Sequence, residues 1–252
     1  LSLVLAHEAL GDAALLERAH DAAGIVIGLA RHNDDGSLSW STMRDRLADL
    51  TGFGHGAAGI AHALLTLHAV APDPTLADAV EGALAYERSV FSPEEQNWPD
   101  YRWFGSGPKV ANYPVSWCHG AVGIVRSRMY AESRGFGVSD EVDIGLRTAA
   151  RHAERQVDDT AGDRTLCHGL FGSVDALVDG VRARRDEYEP LIARCVAETA
   201  QRHHFADWPW PSGLFTHEPI DGLMMGNAGI GHVYLRLADP SLPSVLAPAP
   251  NS

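Results

Sequence analysis

The feature that most limits what this chain can fold into is a short glycine motif that returns four times, each time at the start of an apolar helical pattern. The copies read Gly54-His-Gly-Ala-Ala-Gly-Ile60, Cys118-His-Gly-Ala-Val-Gly-Ile124, Cys167-His-Gly-Leu-Phe-Gly-Ser173 and Met225-Gly-Asn-Ala-Gly-Ile230. Their first shared glycines, Gly56, Gly120, Gly169 and Gly226, lie 64, 49 and 57 residues apart, room for one helix pair and a loop per unit. Glycine at a helix start permits close backbone approach or a positive φ, so each unit is expected to bring one helix N-terminus to a shared centre. Alternating inner and outer helices that close into an α/α toroid meet this requirement. The repeat by itself also permits an open helical solenoid.

Apolar residues recur at helical spacing over 13–30, 57–67, 76–90, 121–131, 141–157, 170–181, 190–200 and 228–237, and no stretch alternates like a strand, so the chain reads as all-α. Long loops at 91–117 and 203–225 hold Trp98, Trp103, Trp117, Trp208 and Trp210, five of the six tryptophans. Loops so long and aromatic are expected to fold over one end of the molecule and form a site. With 45% hydrophobic residues and a formal charge of −13, the chain is globular and poorly suited to nucleic acid or anionic lipid. Its apolar runs break well before the roughly 20 residues a membrane span needs. Three cysteines make no disulfide framework, which points to a reducing compartment and, by default, the cytoplasm. The start at Leu1, without a cleavable leader, is read as the start of a truncated piece of a longer chain.

Two of the three cysteines are followed by His-Gly at the same place in the repeat. Two thiolates and an imidazole brought together are soft and borderline donors that suit tetrahedral zinc, and the expected ligands are Cys118, Cys167 and His168. Three protein ligands leave a fourth position for a thiol substrate. The residues alone also allow two buried structural cysteines, with His119 and His168 capping helix ends. Cys195, in the middle of a helical pattern, reads as a core thiol. His55 shares the slot of His119 and His168 but lacks a preceding cysteine, which makes it the candidate general acid or base, packing against a neighbouring loop being the other use of such a histidine. His119, Trp117 and His217 are candidates for supporting the ligands or touching substrate. Trp103, Tyr113 and Trp210 could line a peptide groove or fill the rim of the toroid.

These motifs resemble the lanthionine synthetase C-like family of lanthipeptide cyclases. The likeness is carried by Gly52-Phe-Gly-His-Gly-Ala-Ala-Gly59, Ser116-Trp-Cys-His-Gly-Ala-Val-Gly-Ile124, Leu166-Cys-His-Gly169 and Gly222-Leu-Met-Met-Gly-Asn-Ala-Gly-Ile-Gly231, in that order. The ending, Leu235 to Leu246, looks like that of class II bifunctional synthetases, whose cyclase domain follows a dehydratase domain. The resemblance implies that residues 1–252 are the C-terminal portion of a cyclase toroid. It implies zinc on Cys118, Cys167 and His168. The activity would be addition of peptide cysteine thiols to dehydroalanine or dehydrobutyrine in a dehydrated precursor peptide, closing thioether rings. The family places a catalytic Asp upstream of Leu1, so no residue here matches it. Single-domain members carry an Arg and a Tyr where this chain has Pro114 and His119. Two other activities fit the same residues: addition of glutathione to dehydroamino acids, and peptide binding by loops that zinc merely pins.

Overall fold

The structure, a computed structural model, describes residues 1–102, 110–204, 210–212 and 220–249. It is mostly helical: α1 (Ser2–Leu10), α2 (Ala13–Gly28), α3 (Ala57–Val70), α4 (Pro74–Val90), α5 (Ala121–Ser133), α6 (Ser139–Asp158), α7 (Leu170–Arg182), α8 (Glu189–Thr199) and α9 (Asn227–Ala238). Two of these begin with ordinary side-chain caps. Asp12 accepts from the N–H of Ala14 ahead of α2, and Asp73 accepts from that of Thr75 ahead of α4, where Pro74 fills a position that needs no donor.

The repeat helices start differently. None of α3, α5, α7 and α9 has a side-chain cap of its own, and each follows a glycine. Backbone carbonyls seven residues earlier take the unpaired donors: Ala57 N–H donates to Leu50 O at 3.0 Å, Leu170 to Asp163 at 2.9 Å and Asn227 to Ile220 at 2.7 Å. At α5 the Oδ1 of Asn97 substitutes, accepting from Ala121 N–H at 2.8 Å. Curling the loop this tightly brings the carbonyl six residues back onto each motif glycine. A Cβ at Gly56, Gly120, Gly169 or Gly226 would collide with Leu50, Pro114, Asp163 or Ile220, and the second glycine of each copy meets the same obstacle. The Gly-x-x-Gly pattern is thus the signature of a loop folded back on its own helix start.

Helices α3, α5, α7 and α9 pack side by side in that order, with α4 against α3, α6 against α5 and α7, and α8 against α6 and α7. This is the inner and outer alternation read from the sequence. Helices α1 and α2 pack on each other and on α3. The core between the layers holds Leu64, Leu65, Leu84, Val125, Leu146, Phe171, Val174 and Leu177, all buried. Inner helix α7 is buried nearly all round, whereas outer helix α6 buries one stripe that includes Val142, Leu146, Ala149 and Ala153.

After α9 the chain returns across the inner helices as a strap. The carbonyl of Leu242 accepts from Arg182, Ser244 bonds Arg126 and Asp175, Leu246 O accepts from Trp117 Nε1 at 2.6 Å, and Pro248 O meets His62 Nε2 at 3.0 Å. Beneath it Arg126 and Arg236 share the carboxylates of Asp175 and Asp179, with Arg126, Arg236 and Asp175 all buried.

One expectation needs correction. An antiparallel pair, β1 (Arg31–His32) and β2 (Leu38–Ser39), closes a turn that ends on Gly36 at φ 82°. Strands of two residues carry no alternation, so a periodicity argument cannot see them. Among the described residues no helix is long and apolar enough to cross a membrane.

Candidate metal centre

The four repeat loops are joined in series by main-chain hydrogen bonds. Gly54 N–H donates to Cys118 O at 3.1 Å, Trp117 N–H to Cys167 O at 2.8 Å, and Cys167 N–H to Met224 O at 3.0 Å. The first of these joints depends on Gly52, where a Cβ would overlap the Cys118 carbonyl. The loops ahead of α5 and α7 therefore stand side by side, and their cysteines meet in one cluster.

Cys118 Sγ lies 3.3 Å and Cys167 Sγ 3.6 Å from His168 Nε2. One donor atom from each of the three residues falls within 4.8 Å of the others, and this is the group of that kind among the described residues. Both cysteines are buried and His168 is exposed, so the cluster faces outward through its imidazole. A hydrogen bond from Cys167 holds the Cys118 thiol far below its ordinary pKa against the opposing effect of burial, with His168 and Ser116 adding to the pull. The same bond pushes Cys167 up, and the bond to Cys118 raises His168. Two sulfurs and one imidazole, with one thiolate already favoured, form a donor set that fits zinc.

The three histidines of the repeat slot have three different surroundings. His168 meets the thiols. His119 is 1% exposed, its Nδ1 is 3.6 Å from Asp100 Oδ1, and burial lowers its pKa. His55 is exposed, and its ring stacks on that of His119 at 5.5 Å and 23°. His55 also lines an apolar cavity of about 440 Å³ with Phe53, Trp117, Ile60 and Leu64. Trp117 packs its ring 5.6 Å from Phe53 and ties the C-terminal strap through its indole N–H. Cys195 is fully buried in α8, its thiol pushed up to about 12 by burial, as a core position requires. Trp210 packs among Phe171, His203 and Tyr234. His217, Trp103 and Trp208 lie outside the described residues.

The loop at 91–117 was expected from the sequence to form a site, but its supporting polar residues, Asn97, Asp100 and Arg102, were not singled out there. Asn97 reaches three loop groups, donating to Tyr113 O and Pro114 O as well as capping α5. Asp100 is held by Arg102 through both carboxylate oxygens, at 2.7–3.1 Å. The dense Asn-Trp-Pro-Asp run at 97–100 was the available signal, since polar residues between aromatic and proline residues in a long loop need buried partners.

The family model for lanthionine synthetase C-like protein matches residues 2–247, and the chain belongs to that family. Among solved structures the fold is similar to that of nisin cyclase, with a TM-score of 0.62 at 14% sequence identity. That likeness covers 86% of this chain and 56% of nisin cyclase, so the chain spans little more than half the length of that protein. No curated protein matches the sequence.

Proposed function

We propose that this member of the lanthionine synthetase C-like family is a zinc-dependent cyclase domain. It would add cysteine thiols of a dehydrated precursor peptide to dehydroalanine or dehydrobutyrine and so close lanthionine rings. The observation that carries the reading is the convergence of Cys118, Cys167 and His168 in one cluster, with His55 on the adjoining loop. An α/α toroid of which this chain forms the C-terminal portion, and a dehydratase domain ahead of it as in class II synthetases, belong to the same proposal and rest on the sequence of the repeats and of the C-terminal strap.

Cys118, Cys167 and His168 would hold the zinc. When bound it supplies Lewis acidity, which keeps a thiol, ordinarily near pKa 8.5, ionised at neutral pH. The outward side of this cluster, where His168 is exposed, is where the substrate sulfur would approach. That sulfur forms a bond to the β-carbon of the dehydroamino acid while the carbon–carbon π pair moves toward the α-carbon and its carbonyl. His55 then delivers a proton to the α-carbon, and the proton lost by the thiol restores the balance. His55 suits that task by exposure: its ring reaches solvent, where a peptide can approach, and rests on His119 behind it. The apolar wall of Phe53, Ile60 and Trp117 beside it keeps water from competing at the same face.

The test pairs zinc analysis with mass spectrometry of a dehydrated, cysteine-containing peptide. The zinc-loaded protein should close thioether rings within one peptide, and His55→Ala should stop ring closure with zinc content unchanged. Undiminished cyclisation by His55→Ala removes that residue from the mechanism. Glutathione adducts in place of rings would assign the centre to intermolecular addition.

A further inference from the structure

The repeat gives three histidines the same backbone slot, yet His119 is turned into the protein, and what it meets there is Asp100. The Asp100 carboxylate is rigid. Its main chain exchanges both hydrogen bonds with Asn112, at 2.6 and 3.1 Å, its Oδ1 accepts from Arg102 N–H at 3.0 Å, and the Arg102 guanidinium grips both oxygens. Oδ1 then stands 3.6 Å from His119 Nδ1. Neither nitrogen of His119 has a hydrogen-bond partner among the described residues, although the side chain is 1% exposed. A buried imidazole with no partner at either nitrogen is destabilising, and the cheapest relief is to turn an N–H toward the fixed carboxylate. One face of the same ring carries His55 in a nearly parallel stack at 23°.

We propose that Asp100 is a positioning residue that fixes the ring plane and tautomer of His119, and through that ring sets the orientation of His55 beside Cys118. Asp100 does not touch substrate. It holds the Nδ1–H tautomer of His119, leaving Nε2 as the bare nitrogen, so that the surface on which His55 lies cannot flip. The consequence for turnover rests on the proposed role of His55; the consequence for ring geometry does not.

The experiment uses the whole zinc-loaded chain labelled with ¹⁵N in its imidazoles. In the unaltered protein, long-range correlation spectra should show His119 protonated at Nδ1, with ring-to-ring cross-relaxation between His119 and His55. Protonation at Nε2 instead overturns the proposal before any variant is made. Asp100→Ala should move the His119 Nδ1 resonance toward the unprotonated range and weaken the contact with His55, with zinc content retained. An unchanged tautomer and contact in that variant also overturns it. His119→Phe supplies the second arm, since it keeps a ring for the stack and removes the nitrogens. On a dehydrated peptide, Asp100→Ala should lower kcat about tenfold with little change in KM, and should lower it no further in the His119→Phe background. Additive losses would mean that Asp100 acts independently of His119 and would defeat the proposal, whereas absence of ring closure in the unaltered chain would defeat the cyclase reading and leave the spectroscopic result standing.

Discussion

Trp117 and Cys167 are joined by a 2.8 Å hydrogen bond from the backbone N–H of one to the carbonyl of the other. This bond ties the loop ahead of α5 to the loop ahead of α7, and it explains how two cysteines 49 residues apart come to meet in one cluster. The candidate ligands are positioned by main-chain contacts between loops, so the proposed metal affinity is expected to depend on residues that never touch the metal.

Gly52→Ala is the plainest test of that dependence. The added methyl would collide with the carbonyl of Cys118, and the first loop must retreat or push the cysteine out of place. Zinc affinity should fall by about 10- to 100-fold, as it does when groups behind metal ligands are removed. Competition with a chelator measures it, and an unaltered affinity would show that the loops hold their cysteines by other means.

Gly120→Ala should cost stability as well as metal. Gly120 combines φ 84° and ψ −162°, a backbone region essentially reserved for glycine, with close approach of the Pro114 carbonyl, so an alanine there meets strain of about 1–3 kcal/mol in addition to the collision. Urea unfolding should place the variant at least that far below the parent. Gly11→Ala, at an αL position of φ 69° and ψ 16° with open space around it, should show only the milder left-handed strain of about 1–2 kcal/mol.

Acid should weaken the fold below about pH 6.5 because of His62. Burial holds its pKa near 4, only partly offset by the Pro248 carbonyl, whereas the unfolded chain titrates at the ordinary 6.5. The unfolded state therefore binds the proton first. The neutral ring contributes its full stabilisation above pH 6.5, and this is lost as the pH falls toward 4, to the extent of about 3 kcal/mol. His152, also held near 4 by burial, adds in the same direction. Urea midpoints between pH 7 and 4.5 measure the slope. His62→Gln should flatten it; an equally steep slope in that variant would place the acid sensitivity elsewhere.

Removal of Asp175 should be among the most damaging single changes outside the centre. Its carboxylate serves Arg126 and Arg236 together and accepts from Ser244, all beneath the C-terminal strap. Asp175→Ala leaves two buried guanidinium groups short of a counter-charge, a loss of about 3–5 kcal/mol. Denaturant titration checks it, and a change below about 1 kcal/mol would mean that Asp179 neutralises both arginines unaided.

Much of this was legible in the sequence, for identifiable reasons. Gly-x-x-Gly followed by an apolar period of 3.6 marks each inner helix because the two glycines answer a local constraint, the carbonyl six residues earlier. Cys118, Cys167 and His168 were legible because a repeat puts equivalent residues at equivalent places. Asp100, Arg102 and Asn97 were not, since they come from an irregular loop outside the repeat and reach the centre through tertiary contacts without sequence period. The ionic group of Arg126, Asp175, Asp179 and Arg236 was hidden for a related reason. Charged residues at i and i+4 on a helix, such as Asp175 and Asp179, read as a solvated face unless a strap is known to cover them.

The most direct measurement is X-ray absorption at the zinc edge of the metal-loaded protein, with and without a cysteine-containing peptide. The account predicts two sulfurs at about 2.3 Å and lighter donors at about 2.0–2.1 Å in the protein alone, and a third sulfur when the peptide is added. A shell already filled by four protein groups, or one that gains no sulfur from the peptide, would contradict it.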